Sequence, residues 1–333
     1  MKLLEVQNLK TNFHIDGGTV QAVRGISFHV DKGESVGIVG ESGSGKSVSM
    51  LSIVKLLPDT ATIEADSIYF DGMELRNQPY KMMRKIHGNE IGMIFQDPMT
   101  SLNPLLTIGH QIIEPLRIHQ RLSKTEARKK ALEILKLVEI PSGETRLEQF
   151  PHEFSGGMRQ RVMIAIAICC NPKLLIADEP TTALDVTIQA QILDLMKDLK
   201  NKLNTSIVMI THDLGIIYNM CSRIMVMYGG TIVEEGSARE IFHDPKHPYT
   251  LGLLGSLPSP GEGERKKLIP IPGTPPDLIS PPKGCPFMPR CSEAMKICQH
   301  FVPLHRNLSP THRAACHLLH SRVLKMRKGA IVS

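Results

Sequence analysis

One stretch limits what this chain can fold into more than any other. It is Gly40-Glu-Ser-Gly-Ser-Gly-Lys46-Ser47, which fits GxxxxGK[ST] at every fixed position. Before it, Ser35 to Val39 reads as a buried strand; after it, Lys46 to Leu57 reads as a helix with apolar residues at helical spacing. Glycines in such a loop let backbone N–H groups curl around phosphate oxygens, and the helix N-terminus adds the positive end of its dipole. Lys46 is then expected to reach the β- and γ-phosphates of a nucleotide, and the Ser47 hydroxyl to ligate Mg²⁺. Strand, loop and helix in that order predict an α/β fold with a mostly parallel sheet.

A partner element lies far downstream in "KLLIADEPTTALD". Leu174 to Ala177 is an apolar run short enough to be a central parallel strand. It ends in Asp178 and Glu179, two carboxylates delivered to the sheet edge where such folds bind ligands. Asp178 is placed to hold hydrated Mg²⁺, and Glu179 to orient and deprotonate an attacking water. Between the two elements, Ser101 to Ile168 reads as helical. "SKTEARKKALEILKLVEI" opens with a capping box, Ser123 and Glu126, and carries Leu132, Ile134, Leu135 and Val138 on an apolar face. In "EFSGGMRQRVMIAIAICC" Ser155 caps another helix.

Composition narrows the partners. The start "MKLLEVQNLKTNF" lacks the pattern of a secretory signal, and the most apolar run, "VMIAIAICCNP", is about half what a bilayer crossing needs. The expectation is a cytosolic chain, at most peripheral to a membrane, with reduced thiols. Net charge is +6 and the end "HSRVLKMRKG" is densely basic, which reads as a solvated terminus. No Trp and 4% aromatics argue against a surface that stacks single-stranded bases, so no nucleic-acid partner is expected.

The order phosphate loop, "FQDP", "FSGGMRQR", "LLIADEP", "ALD" and "ITHD" resembles the nucleotide-binding subunit of ATP-binding cassette (ABC) transporters, over about residues 3–255. The resemblance implies a cassette in residues 1–255 with a parallel core, an antiparallel β subdomain and a helical subdomain at about 97–170. In that family two cassettes sandwich two ATP molecules head to tail. Gly40, Ser42, Gly43, Ser44, Gly45, Lys46, Ser47 and Val48 would then surround the phosphates of ATP, while Ser155 and Gly157 act in trans on the facing site. Gln96 would sense the γ-phosphate and complete the Mg²⁺ site with Ser47 and Asp178. His212 would hold the γ-phosphate and the water, and Asp185 would pair across the dimer. Phe13 stands where the family stacks an aromatic on adenine, commonly Tyr. Met158 departs from the Gln that often follows the signature glycines.

The tail gives a finer resemblance. "HPYTLGLLGSLP", "IPGTPPDL" and "GCPFMPRCSEAMKIC…HRAACHL", together with "QDPMTSLNP", resemble the ATPases of oligopeptide and dipeptide importers, the dipeptide type above all. That implies an extension over 256–333, with its Pro-rich part extended and wrapping. The partners implied are a sister ATPase subunit, two transmembrane permease subunits and an extracytoplasmic peptide-binding protein, with this chain peripheral on the cytoplasmic face. The alternatives are an ABC-type ATPase acting on nucleic acid or ribosomes, and an importer ATPase for another solute such as a nickel chelate. A single cassette with C-terminal cysteines fits the first alternative poorly.

Four of the seven cysteines, Cys285, Cys291, Cys298 and Cys316, lie in this extension at the spacing C-x5-C-x6-C-x17-C. Reduced thiols in a segment with little core of its own suggest a metal staple. The spacing is wider than the pairs of structural zinc and matches neither common ferredoxin pattern. The importer ATPases that the tail resembles include members with a [4Fe–4S] cluster, so the resemblance implies iron–sulfur, with Zn²⁺ as the alternative. Cys169, Cys170 and Cys221 read as buried packing residues.

Overall fold

Four runs, Ser35–Val39, Leu174–Asp178, Ser206–Ile210 and Arg223–Tyr228, are strands buried along their whole length. Their near-continuous apolar character is that of strands covered on both faces. The computed structural model describes residues 1–182, 184–256 and 270–324. These divide into two compact units whose segments interleave along the chain.

The first unit takes residues 1–4, 29–35 and 69–210. Here Ile91–Ile94 pairs in parallel with Leu174–Asp178, which pairs in parallel with Ser206–Ile210. The helical expectation for this stretch holds, with breaks between the helices. Ile108–Gln120, Lys124–Leu137 and Gly156–Ile168 are the long ones. The Ser123–Glu126 capping box forms as expected. Ile134, Leu135 and Val138 are buried, and Ala127 and Ala131 complete the face, whereas Leu132 is only half-buried.

The second unit takes residues 5–28, 36–68 and 211–333. Val36–Val39 pairs in parallel with Arg223–Val226, and Arg223–Tyr228 turns back onto Thr231–Ser237. Gly229 and Gly230, at φ 54° and 79°, make the turn; two consecutive left-handed residues suit a tight hairpin, and glycine adopts them without strain. The tail extends this sheet, because Arg313–Ala314 pairs with Glu234 and Glu235, and Arg306–Asn307 pairs with Arg313–Ala314. An antiparallel layer also belongs to this unit, with Lys10 to Phe13 facing Glu64 to Ala61.

One element is shorter than expected. The helix after the phosphate loop ends at Ile53 rather than Leu57, because Val54 caps it and Lys55, at φ 52°, turns the chain out of helical geometry. Cys169, Cys170 and Cys221 are buried packing residues, as expected. Among the described residues no helix is long and apolar enough to cross a membrane. Parts of the expected wrapping stretch and of the basic end, residues 257–269 and 325–333, lie outside the described residues.

Glu240 ties the tail to the helix Ala238–His243. Its carboxylate accepts hydrogen bonds from the Ser237 N–H and hydroxyl, from Ser309 Oγ at 2.6 Å and from Thr311 Oγ1 at 2.9 Å. Burial alone would raise this carboxyl, yet the bonds from Ser309, Ser237 and Thr311 outweigh it and hold the pKa down to about 2, against an ordinary 4.5. A folded-state pKa below the unfolded one contributes stability above the unfolded value, and that stability is lost as pH falls through the folded value. Thermal melts between pH 4.5 and 2 should therefore show an acid loss of stability that Glu240→Gln makes shallower, and at pH 7 the variant should melt lower than the wild type.

Candidate functional site

The phosphate loop lies wholly in the second unit, and its backbone leaves no room for side chains at two points. A Cβ on Gly40 would sit 2.2 Å from the Met227 carbonyl oxygen, and one on Gly45, at φ 97°, 2.5 Å from that of Ala22. Only glycine fits positions approached so closely by backbone. Ser42 and Gly43 are exposed, Ser44 to Lys46 are buried, and Ser47 and Val48 are half-buried on the first helical turn. Lys46 Nζ donates to the carbonyls of Gly40 at 2.8 Å and Glu41 at 2.9 Å. A buried ammonium held by its own loop is kept where a triphosphate would need it. Ser44 Oγ, on the same loop, is buried with no hydrogen-bond partner among the described residues. A buried hydroxyl without a partner costs free energy that a ligand oxygen can recover. The loop therefore fits the nucleotide phosphates that its sequence implies.

Two other expected residues stand in this unit. Phe13 is half-buried on the strand Lys2–Ile15, opposite Ala61. His212 is exposed between Thr211, whose N–H donates to the Ile38 carbonyl at 3.2 Å, and Asp213. Asp213 caps the helix Leu214–Met220 by accepting from the N–H groups of Gly215 and Ile216.

The first unit holds the acidic residues. Asp178 is the buried last residue of its strand. The next residue, Glu179, stands at φ 47°, a left-handed conformation that a non-glycine residue keeps only when its surroundings impose it. Three contacts do so: the Glu179 N–H donates to the Ile210 carbonyl at 2.9 Å, while its Oε2 accepts from Gln96 Nε2 at 3.0 Å and Thr182 Oγ1 at 2.9 Å. The geometry thus brings Gln96 and Glu179 together across 83 residues of sequence. A carboxylate aimed by two donors is the arrangement of a positioned general base. Thr182 was not among the expected residues, although its place in "EPTTALD" is the one local signal that could have found it.

Ser155 caps Gly156–Ile168, its Oγ accepting from the Met158 N–H at 3.4 Å. A Cβ on Gly157 would meet Ile188 at 2.9 Å. Asp185 caps Val186–Leu203 through the N–H groups of Thr187 and Ile188. Both helix starts are thus built by short polar side chains, the Ser155 cap as expected and the Asp185 cap in addition.

The tail cysteines are free thiols. Burial first, then the charge of neighbouring thiols, pushes Cys285 up to about 11 and Cys316 up to about 12. Cys316 feels Cys285, Cys291 and Cys298, so the four share one neighbourhood. Among the described residues, however, no three His, Cys, Asp or Glu side chains are placed to hold a metal ion. As they stand, the four thiols do not fit the expected staple.

Residues 23–182 match the family model described as ABC transporter, and residues 233–298 match that of the oligopeptide/dipeptide transporter C-terminal region. The chain is similar to the oligopeptide transport ATP-binding protein OppD of Bacillus subtilis, 57% identical over 96% of this chain and 89% of that one. It is 52% identical to the dipeptide transport ATP-binding protein DppD of the same organism, over 96% of each chain. Among solved structures it is similar to the dimeric ATP-binding cassette MJ0796 in a post-hydrolysis state bound to ADP and Pi. That match has a TM-score of 0.64 and 31% identity, covering 71% of this chain and 99% of that one.

Glu179→Gln should leave ATP binding intact and slow hydrolysis at least about a hundredfold, the size expected for loss of a positioned base. Lys46→Ala should instead weaken binding itself. Nucleotide affinity and phosphate release, measured on both variants, separate the two roles.

Proposed function

This chain belongs to the ATP-binding subunits of ABC transporters of the oligopeptide and dipeptide type, and from that premise we propose that it hydrolyses ATP to power peptide import. The observation that carries the reading is the glycine-built loop that holds the Lys46 ammonium, with Ser44 Oγ on it buried and unpartnered among the described residues. Lys46 supplies positive charge to the β- and γ-phosphates, and Glu179, aimed by Gln96 and Thr182, takes the proton of the attacking water. Ser47, Gln96 and Asp178 would hold Mg²⁺, which neutralises charge developing on the phosphates. His212 holds the γ-phosphate and the water, and Phe13 packs on adenine. Ser155 and Gly157 close over the facing site in trans, with Asp185 pairing across the dimer, so the active form is a pair with a sister cassette.

Two permease subunits and an extracytoplasmic peptide-binding protein complete the assembly, with this chain peripheral on the cytoplasmic face. In support, the helical run of the first unit carries a groove of about 780 Å³ with a mixed lining, His110, Glu114, Arg117 and Arg128 beside Ile113 and Ile118, and on this reading it receives an element of a membrane subunit. The test is uptake. In a strain without redundant peptide systems, deletion of this subunit should abolish growth on dipeptides as sole amino-acid source, and a Glu179→Gln copy should not restore it. Normal peptide uptake in the deletion strain would remove the reading.

The finer proposal for the tail is that Cys285, Cys291, Cys298 and Cys316 serve one metal centre, [4Fe–4S] with Zn²⁺ as the alternative. Their shared neighbourhood and lack of disulfides support it, while their placement requires the thiols to close in on the metal. The centre would fix the extension, and no step of hydrolysis runs through it. Protein purified without oxygen should carry about four iron per chain and absorb broadly in the visible. A colourless preparation with one zinc per chain would overturn the cluster and leave the staple.

A further inference from the structure

We propose that Arg290 is a positioning residue for nucleotide binding, acting through Glu41 of the phosphate loop; this rests on the reading of that loop as the ATP site. Arg290 sits in the tail, within the turn between Cys285 and Cys291, 249 residues from Glu41 in sequence. Both belong to the second unit. The guanidinium is buried and grips the carboxylate with both ends of its fork. Nη1 donates to Glu41 Oε2 at 2.5 Å and Nη2 donates to Oε1 at 3.0 Å. Its remaining N–H groups donate to the carbonyls of Pro272 and Ile271 and to Tyr228 Oη. All five donors are thereby used, which fixes the fork in one orientation.

The same loop residue is held a second time by its backbone. The Glu41 N–H donates to Tyr249 Oη at 2.8 Å, and Tyr249 is fully buried against Tyr228 and Phe287. Glu41 directly follows Gly40, and the carbonyls of both accept from Lys46 Nζ. A carboxylate is a costly group at such a place, because an unpaired negative charge beside a phosphate cradle repels the triphosphate. Arg290 neutralises that charge and draws it aside, while Tyr249 sets the backbone from which the cradle N–H groups project. The tail therefore reaches into the ATP site from behind, and the loop's affinity depends on a residue that the cassette itself does not supply.

The experiment compares fluorescent ATP and ADP binding by the full chain at 25 °C. The proteins are the wild type, Arg290→Met, Arg290→Lys, the double variant Glu41→Gln/Arg290→Met, and Lys46→Ala. Arg290→Met should weaken ATP binding roughly tenfold, and ADP binding less, since one fewer phosphate charge meets the exposed carboxylate. Adding Glu41→Gln should restore ATP affinity to within about twofold of wild type, the non-additivity expected of directly coupled residues. Arg290→Lys, which keeps the charge but loses the fork, should fall between and serves if Arg290→Met does not fold. A purely structural Arg290 would lower the melting temperature of Arg290→Met without the ATP-selective loss, or leave the double variant as weak as the single; either result overturns the proposal. Wild-type ATP affinity in Lys46→Ala would overturn the reading of the ATP site instead.

Discussion

The second unit depends on one buried carboxylate. Glu234 is fully buried, and a charge in such a place is tolerated only when its lone pairs are met. Three donors meet them: the N–H groups of Lys246 at 2.6 Å and His247 at 3.0 Å, and His312 Nε2 at 2.8 Å. Two of these begin the helix Pro248–Gly255 and the third comes from the tail, next to its strand Arg313–Ala314. Without this convergence the start of that helix and the late strand would each lose an anchor. Removing one partner of a buried, hydrogen-bonded charge is among the more damaging single changes a fold can suffer.

From that anchor the order passes to the nucleotide loop by packing. His247, Tyr249, Tyr228 and Phe287 form one aromatic cluster, with ring centroids 4.5 to 5.8 Å apart. Tilted and edge-on pairs of this kind combine large buried area with a defined geometry. Tyr249, within the cluster, and Arg290, which lies over its Tyr228 ring, are the residues that hold Glu41. The tail is thus more than a wrapping extension, since its side chains form part of the wall behind the phosphate cradle. In the first unit the comparable constraint is the left-handed Glu179, kept in place by Gln96, Thr182 and the carbonyl of Ile210.

Much of this was legible in the sequence, and the reason is that the legible parts are local. Strand, glycine loop and helix follow one another without a gap, so spacing alone locates the loop. Helix starts at Ser123 and Ser155 are written in the few residues that build them. The paired acids at the end of an apolar run declare their place at a sheet edge, and resemblance to a family supplied Gln96, His212 and the residues proposed to act in trans. The four tail cysteines were legible as a group, yet their number and spacing say nothing of side-chain direction, and the fold does not set them as a closed ligand shell.

What the sequence by itself determined is therefore the phosphate loop, the acidic strand end, the helix caps and the character of the tail. Each rests on contacts between residues a few positions apart. What only the tertiary structure decided is that Gln96 aims Glu179 and that Arg290 grips Glu41. These pairs are separated by 83 and 249 residues, and no local periodicity or turn chemistry records them. An arginine in a proline-rich tail and a glutamate in a glycine loop look, in sequence, like two solvated charges. They become one partly buried ion pair because the fold packs the tail, which also adds its strand to this sheet, against the loop.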